Sequence, residues 1–174
     1  MERKPATLLR VHEIREKRQW FTQRLNPGSA FQGTWLSRLA GMARVGVSCA
    51  WIAPGQQSFA YHAHNVEEEW IYILSGRGVV LVDGKEHEVG PGDFLGFPAP
   101  QVPHLLRNPG PDELAYLMGG QIGIPADVLD YPKLGKRYLL LREGGPTAFY
   151  ELGSASFPFG PLSEPPESDP GRNR

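Results

Sequence analysis

An all-β fold, either a sandwich or a closed barrel, is what this sequence predicts, and three observations predict it. Short runs rich in Val, Ile, Trp and Tyr follow one another at regular spacing from Thr34 to Gly119, Gly- and Pro-rich clusters separate them, and no stretch carries the period of a long helix. With 174 residues, 40% hydrophobic and 10% aromatic, the chain can build one cored domain with extensions.

The elements read as follows. Residues 1 to 30 form a polar N-terminal arm in which Val11-His12-Glu13-Ile14 and Arg15-Glu16-Lys17-Arg18 fit one helical turn or an extended segment. Its charges, with His12 among them, read as a solvated face. Asn26-Pro27-Gly28-Ser29 is a turn or linker signal, and the barrel is expected over residues 31 to 152. Thr34 to Leu39 and Arg44 to Ala53 read as strands joined by a hairpin turn at Ala40-Gly41-Met42, and Pro54-Gly55-Gln56-Gln57 ends that pair. Phe59 to His64, Glu69 to Leu74 and Gly78 to Val82 follow. Asp83-Gly84 then joins the last of these to Lys85 through Val89, and Asp-Gly between two such runs is a strong hairpin signal. Gly90-Pro91-Gly92-Asp93 turns the chain into Phe94 to Pro98, a loop to Pro103 delivers His104 to Asn108, and Asn108-Pro109-Gly110-Pro111 turns it into Glu113 to Gly119. Ala126 to Leu129 reads as a helical turn, with Lys136 to Arg142 and Thr147 to Leu152 as a last strand pair. From 153 to 174 the chain is a Pro-rich tail with no core of its own, either anchored on this or a neighbouring subunit by Phe157 and Phe159 or simply disordered.

Composition narrows the function. A net charge of −1 and a pI near 6.5 leave no electrostatic footprint for nucleic acid or an anionic membrane. The N-terminus Met1-Glu2-Arg3-Lys4-Pro5 has no apolar segment behind its charges, and no run approaches the roughly 20 apolar residues of a membrane span. A cytoplasmic protein that handles a small molecule is the expectation. Cys49 is the single cysteine, so no internal disulfide forms, and its strand-like surroundings predict a buried, inert thiol.

The chemistry gathers on His62-Ala63-His64. Side chains two apart on a strand share a face, so both imidazoles reach one point. The strand opened by Glu69 closes a hairpin on the first and brings a carboxylate beside them, and His104 arrives on a later strand-like segment. Three nitrogens and one oxygen can cage a divalent transition metal, whereas any of these histidines alone would as readily satisfy a hydrogen bond in a core. His87, flanked by Glu86 and Glu88 on a polar hairpin strand, reads as exposed.

Two linked patterns carry a family resemblance. Gly55…His62-x-His64-x4-Glu69-x6-Gly76 and Gly92-x5-Pro98…His104-x3-Asn108 resemble the two motifs of the cupin superfamily, nearest to its single-domain conserved-barrel members, over a motif core of residues 44 to 121. The departures are an extra residue between Gly55 and His62, Pro100 where glycine is usual, and an added residue before His104, all in connecting stretches. The resemblance implies a jelly roll, or double-stranded β-helix, with a mononuclear metal on His62, His64, Glu69 and His104. Among the consecutive Glu67, Glu68 and Glu69, the spacing to Gly76 selects Glu69, which leaves Glu67 and Glu68 as solvated charge at the rim. One divalent ion per chain is expected, drawn from Fe, Mn, Ni, Co, Cu and Zn.

Cupins of this kind include dioxygenases, isomerases and decarboxylases, so the resemblance implies a metal-dependent enzyme acting on a small organic substrate. The alternative is a non-catalytic metal-dependent sensor or binding protein. Tyr61, Tyr72, Gln101, Arg107 and Asn108 lie near the motifs, but no two form a recognisable catalytic pair. A homodimer is expected, because an uncovered edge strand needs a partner.

Overall fold

In the computed structural model, residues 8–23, 26–100, 102–141 and 148–151 are described. Helix α1 (Val11–Glu16) precedes β1 (Gln19–Gln23) and β2 (Asn26–Trp35); the turn-like α2 (Leu36–Leu39) then leads to β3 (Val45–Ile52). The strands that follow are β4 (Ala63–His64), β5 (Glu69–Ser75), β6 (Gly78–Val82), β7 (Lys85–Val89), β8 (Phe94–Phe97), β9 (His104–Arg107), β10 (Leu114–Gln121), β11 (Ala126–Tyr131), β12 (Lys136–Leu141) and β13 (Ala148–Glu151). No helix among these residues is long and apolar enough to cross a membrane.

Every pairing between these described strands is antiparallel. The order β1-β2-β3-β10-β5-β8 makes a six-stranded sheet, β7-β6-β9 a three-stranded one and β13-β12-β11-β4 a four-stranded one. The two smaller sheets meet where His62 and His104 form an antiparallel bridge at the start of β9 and the entry to β4. The main core lies between the large sheet and the three-stranded one. Phe31, Ala50, Ile52, Ile71, Ile73, Phe97, Leu114 and Tyr116 come from the first and Val80, Val89 and Leu106 from the second, all buried. This is the all-β jelly-roll architecture that the strand pattern and motifs predict. A smaller cluster of Cys49, Trp51 and Ala115, packed with Ile14 of α1, covers part of the outer face of the large sheet.

The Asp83-Gly84 turn joins β6 to β7 as expected, both residues with positive φ, 46° and 77°. Gly76 has φ +80°, and a Cβ there would lie 2.6 Å from the Glu113 carbonyl oxygen, so only glycine fits. Elsewhere local signals yield to tertiary pairing. Asn26 to Ser29 is the start of β2 rather than a turn, and β1, also within residues 1 to 30, is the outermost strand of the large sheet. The strand expected from Thr34 to Leu39 stops at Trp35. Leu36–Leu39 coils into α2, where Met42 N–H donates to the Ser37 carbonyl (2.8 Å) and Val47 N–H to Ser37 Oγ (3.1 Å), clipping the connection onto β3. Phe59 to His64 is mostly irregular, with only Ala63–His64 in a strand. Ala126 to Leu129 is not a helical turn but the first part of β11, held between β12 and β4 and burying Asp127, Leu129 and Tyr131 in alternation. The expected pair β12–β13 is present; Phe157, Phe159 and the rest of the tail fall outside the described residues.

Candidate metal centre

The bridge between His62 and His104 is the scaffold of the site. Each donates its backbone N–H to the other's carbonyl, at 3.2 and 2.8 Å, which sets the two rings side by side with centroids 4.7 Å apart. His64 follows on β4, opposite Leu129 of β11, on the same face as His62. Glu69 opens β5 between Phe97 of β8 and Gly120 of β10. From these positions the three imidazoles point Nε2 at one carboxylate oxygen: Glu69 Oε2 lies 3.8 Å from His62, 3.2 Å from His64 and 3.2 Å from His104. The histidine side chains are at most 9% exposed, whereas Glu69 is 28% exposed, so the cluster opens on the carboxylate side.

Each ring is held from behind. Nδ1 of His62 is 2.8 Å from the Ala60 carbonyl, Nδ1 of His104 is 3.0 Å from the Val102 carbonyl, and Nδ1 of His64 is 2.5 Å from Asp127 Oδ2. A carbonyl oxygen only accepts, so the Nδ1 atoms of His62 and His104 carry the proton and their Nε2 lone pairs face the centre. Phe97 lies flat on His104 at 3.6 Å and Tyr131 stacks on His62 at 5.9 Å, closing the flanks to water.

The electrostatics are those of a gathered donor set. Burial draws His62 down to about 4, so it is neutral at pH 7. Burial also acts to lower His64, but its hydrogen bonds to Asp127 and Glu69 outweigh that and lift it to about 10. Glu69 resists burial because the imidazoles of His104, His64 and His62 crowd its carboxylate and favour the anion, and it stays well below the usual carboxylate range. Imidazole nitrogens and an anionic oxygen converging on a nearly dry point suit a divalent transition ion once His64 Nε2 releases its proton, with imidazole for borderline metals and carboxylate to balance charge. The ligand atoms of His62, Glu69 and His104 all lie within 4.8 Å of one another.

The four residues singled out in the sequence are thus brought together; two others were missed. Glu67, read as a solvated rim charge, is buried at 7% exposure and groups with His64 and Asp127, their ligand atoms within 4.8 Å of one another. Gly120 makes room for it, since a Cβ there would come within 2.8 Å of Glu67 Oε1 and 2.7 Å of the Glu68 carbonyl. Asp127 was hidden by the helical reading of its strand, although the alternation Asp127, Leu129, Tyr131 carries the signal. Glu68, His12 and His87 are exposed, as expected. Among the residues near the motifs, Tyr61 accepts from Gly84 N–H, Arg107 pairs with Glu86, and buried Asn108 donates to the carbonyls of Ile52 and Asp112; Gln101 lies outside the described residues.

Residues 51–119 match the cupin domain family model. The structure is similar to that of an Acidithiobacillus ferrooxidans protein provisionally named as a sugar phosphate isomerase, with TM-score 0.81 and 33% identity over 87% of this chain and 96% of that one. A Silicibacter pomeroyi structure, named as a sugar phosphate isomerase from a cupin superfamily, shares the fold, with TM-score 0.70 and 23% identity over 80% of this chain and 88% of that one. An uncharacterised protein of Methanocaldococcus jannaschii is 39% identical over 59 residues, 34% of this chain; the match spans 46% of that protein, less than half its length. A one-third identity sustained over nearly the whole of a relative, on the same jelly roll and with both motifs in place, makes this chain a member of the cupin superfamily.

Proposed function

We propose that this cupin holds one divalent transition metal on His62, His64, Glu69 and His104 and is an isomerase of small phosphorylated sugars. The observation that supports the metal most is the tethering of all three Nδ1 atoms, which leaves three Nε2 atoms aimed at the same carboxylate oxygen. The substrate class rests on the Acidithiobacillus ferrooxidans relative, whose name specifies it and whose length this chain covers almost completely. When bound, a divalent ion supplies a Lewis acid that polarises a substrate oxygen.

The chain's own residues do the rest. The Ala60 and Val102 carbonyls keep two rings oriented, Phe97 and Tyr131 shield their faces from water, and the partly exposed side of Glu69 is the direction of approach. Tyr116, fully buried, has a hydroxyl without a hydrogen-bond partner among the described residues. Burial, with the charge of Glu69 adding to it, keeps that phenol protonated, a donor held inside the barrel for a bound molecule's oxygen. Interconversion of an aldose and a ketose moves hydrogen between neighbouring carbons and leaves the overall oxidation state unchanged, so the step needs no external oxidant.

The test is to load the protein separately with Mn(II), Fe(II), Co(II), Ni(II) and Zn(II), incubate it with a panel of aldose and ketose phosphates, and follow conversion by NMR. Metal-dependent interconversion of one pair supports the isomerase. Saturable binding of panel members that leaves every one unchanged contradicts it and favours the non-catalytic binding protein.

A further inference from the structure

Asp127 stands 63 residues from His64 in sequence and beyond the stretch matched by the cupin domain model, yet it touches the site. Its side chain is wholly buried, and both oxygens are committed. Oδ1 accepts the backbone N–H groups of Val66 at 3.0 Å and Val128 at 2.7 Å, which fixes the plane of the carboxylate. Oδ2 is left facing His64 Nδ1 at 2.5 Å. The backbone locks this geometry from both sides, because His64 pairs with Leu129 across β4 and β11 and Asn65 N–H donates to the Val128 carbonyl. His62 and His104 are each steadied by a carbonyl two residues back in their own segment; His64 alone is steadied by a charged group from a distant strand.

From this we infer that Asp127 is a positioning residue of the metal centre: it holds the proton of His64 on Nδ1, fixes the ring and turns Nε2 towards Glu69, His62 and His104. The inference rests on the proposed role of His64 as a metal ligand. A carboxylate behind a ligating imidazole also makes that imidazole a stronger donor than a carbonyl would.

Asp127→Asn tests this sharply, because Oδ1 has two backbone donors and Oδ2 one imidazole donor. An asparagine satisfies most contacts by keeping its oxygen on Val66 and Val128, which places its NH2 against His64 Nδ1. To accept that bond His64 must give up its Nδ1 proton and carry one on Nε2, where the metal belongs. The variant should therefore keep the fold, by far-UV circular dichroism of the metal-free protein, and bind Co(II) roughly 10- to 100-fold more weakly than wild type. A second measurement needs no variant. In wild-type protein labelled with 15N-histidine and loaded with Zn(II), His64 should show a protonated Nδ1 and a metal-bound Nε2.

An unprotonated Nδ1 on His64 in that spectrum overturns the inference, as does an Asp127→Asn variant whose Co(II) affinity stays within about twofold of wild type. If the asparagine variant does not fold, the wild-type spectrum decides alone. Wild type that binds neither Co(II) nor Zn(II) removes the metal reading and this inference with it, whereas binding that is indifferent to Asp127 removes this inference only.

Discussion

His62 and His104 exchange two backbone hydrogen bonds, and through them the main chain fixes the separation of two imidazoles whose tips meet at Glu69. That bridge also joins the two small sheets, so the same pair of residues closes one wall of the barrel and spaces the candidate ligands. Site and wall are one construction.

The first prediction follows from the bridge. His62 belongs to no regular strand, yet its amide should exchange with deuterium as slowly as amides in the middle of β9 or β10, because its partner is the His104 carbonyl rather than water. Hydrogen exchange read by NMR checks this. Exchange at the rate of a loop amide would show that the bridge opens freely.

Gly76→Ala should be costly. The residue sits at φ +80°, and its added Cβ would lie 2.6 Å from the Glu113 carbonyl and 2.9 Å from Leu114 Cα, both backbone atoms that cannot swing aside. A loss of about 1–3 kcal/mol in unfolding free energy is expected, measured by urea titration of the metal-free protein.

Cys49 gives a pH prediction. Burial pushes its thiol up from 9.0 to about 11, so between those values the folded state holds a proton that the unfolded state has lost. Stability contributed by the neutral thiol is complete below pH 9 and is lost as pH rises towards 11. Native protein should resist alkylation by iodoacetamide at pH 8 and react when unfolded, read by mass spectrometry.

Assembly is an expectation of the same kind. Trp20 on β1 and Phe94 on β8 are each 64% exposed, and both lie on the edge strands of the six-stranded sheet. Large apolar groups on unpaired edges favour association. Light scattering should find a homodimer, about twice the 19.3 kDa chain; a monomer at micromolar concentration would contradict it.

Much of this molecule is legible in the chain, and the illegible parts share a cause. β5, β6, β7 and β9 carry their own alternation and turn signals, and His62, His64, Glu69 and His104 sit at motif spacing, so their convergence can be anticipated. β1 and the start of β2 could not be, since Asn26-Pro27-Gly28 is locally a turn sequence and becomes strand only by pairing with neighbours. Ala126 to Leu129 is too short to separate helix from strand by period, and its strand form depends on β4 and β12. Mistaking that segment hid Asp127. Glu67 misled for a related reason: a carboxylate in a run of three glutamates looks solvated until Gly120, on another strand, gives it room to turn inward.

If His62, His64, Glu69 and His104 together hold a metal ion, elemental mass spectrometry of anaerobically purified protein will find it. Wild type should carry about one divalent transition ion per chain, and the His62→Ala/His64→Ala double variant, folded by circular dichroism, should carry essentially none, since two of the four donors vanish together. Full occupancy in that double variant, or wild type that stays empty after reloading with each candidate metal, would mean that these four residues do not hold the ion.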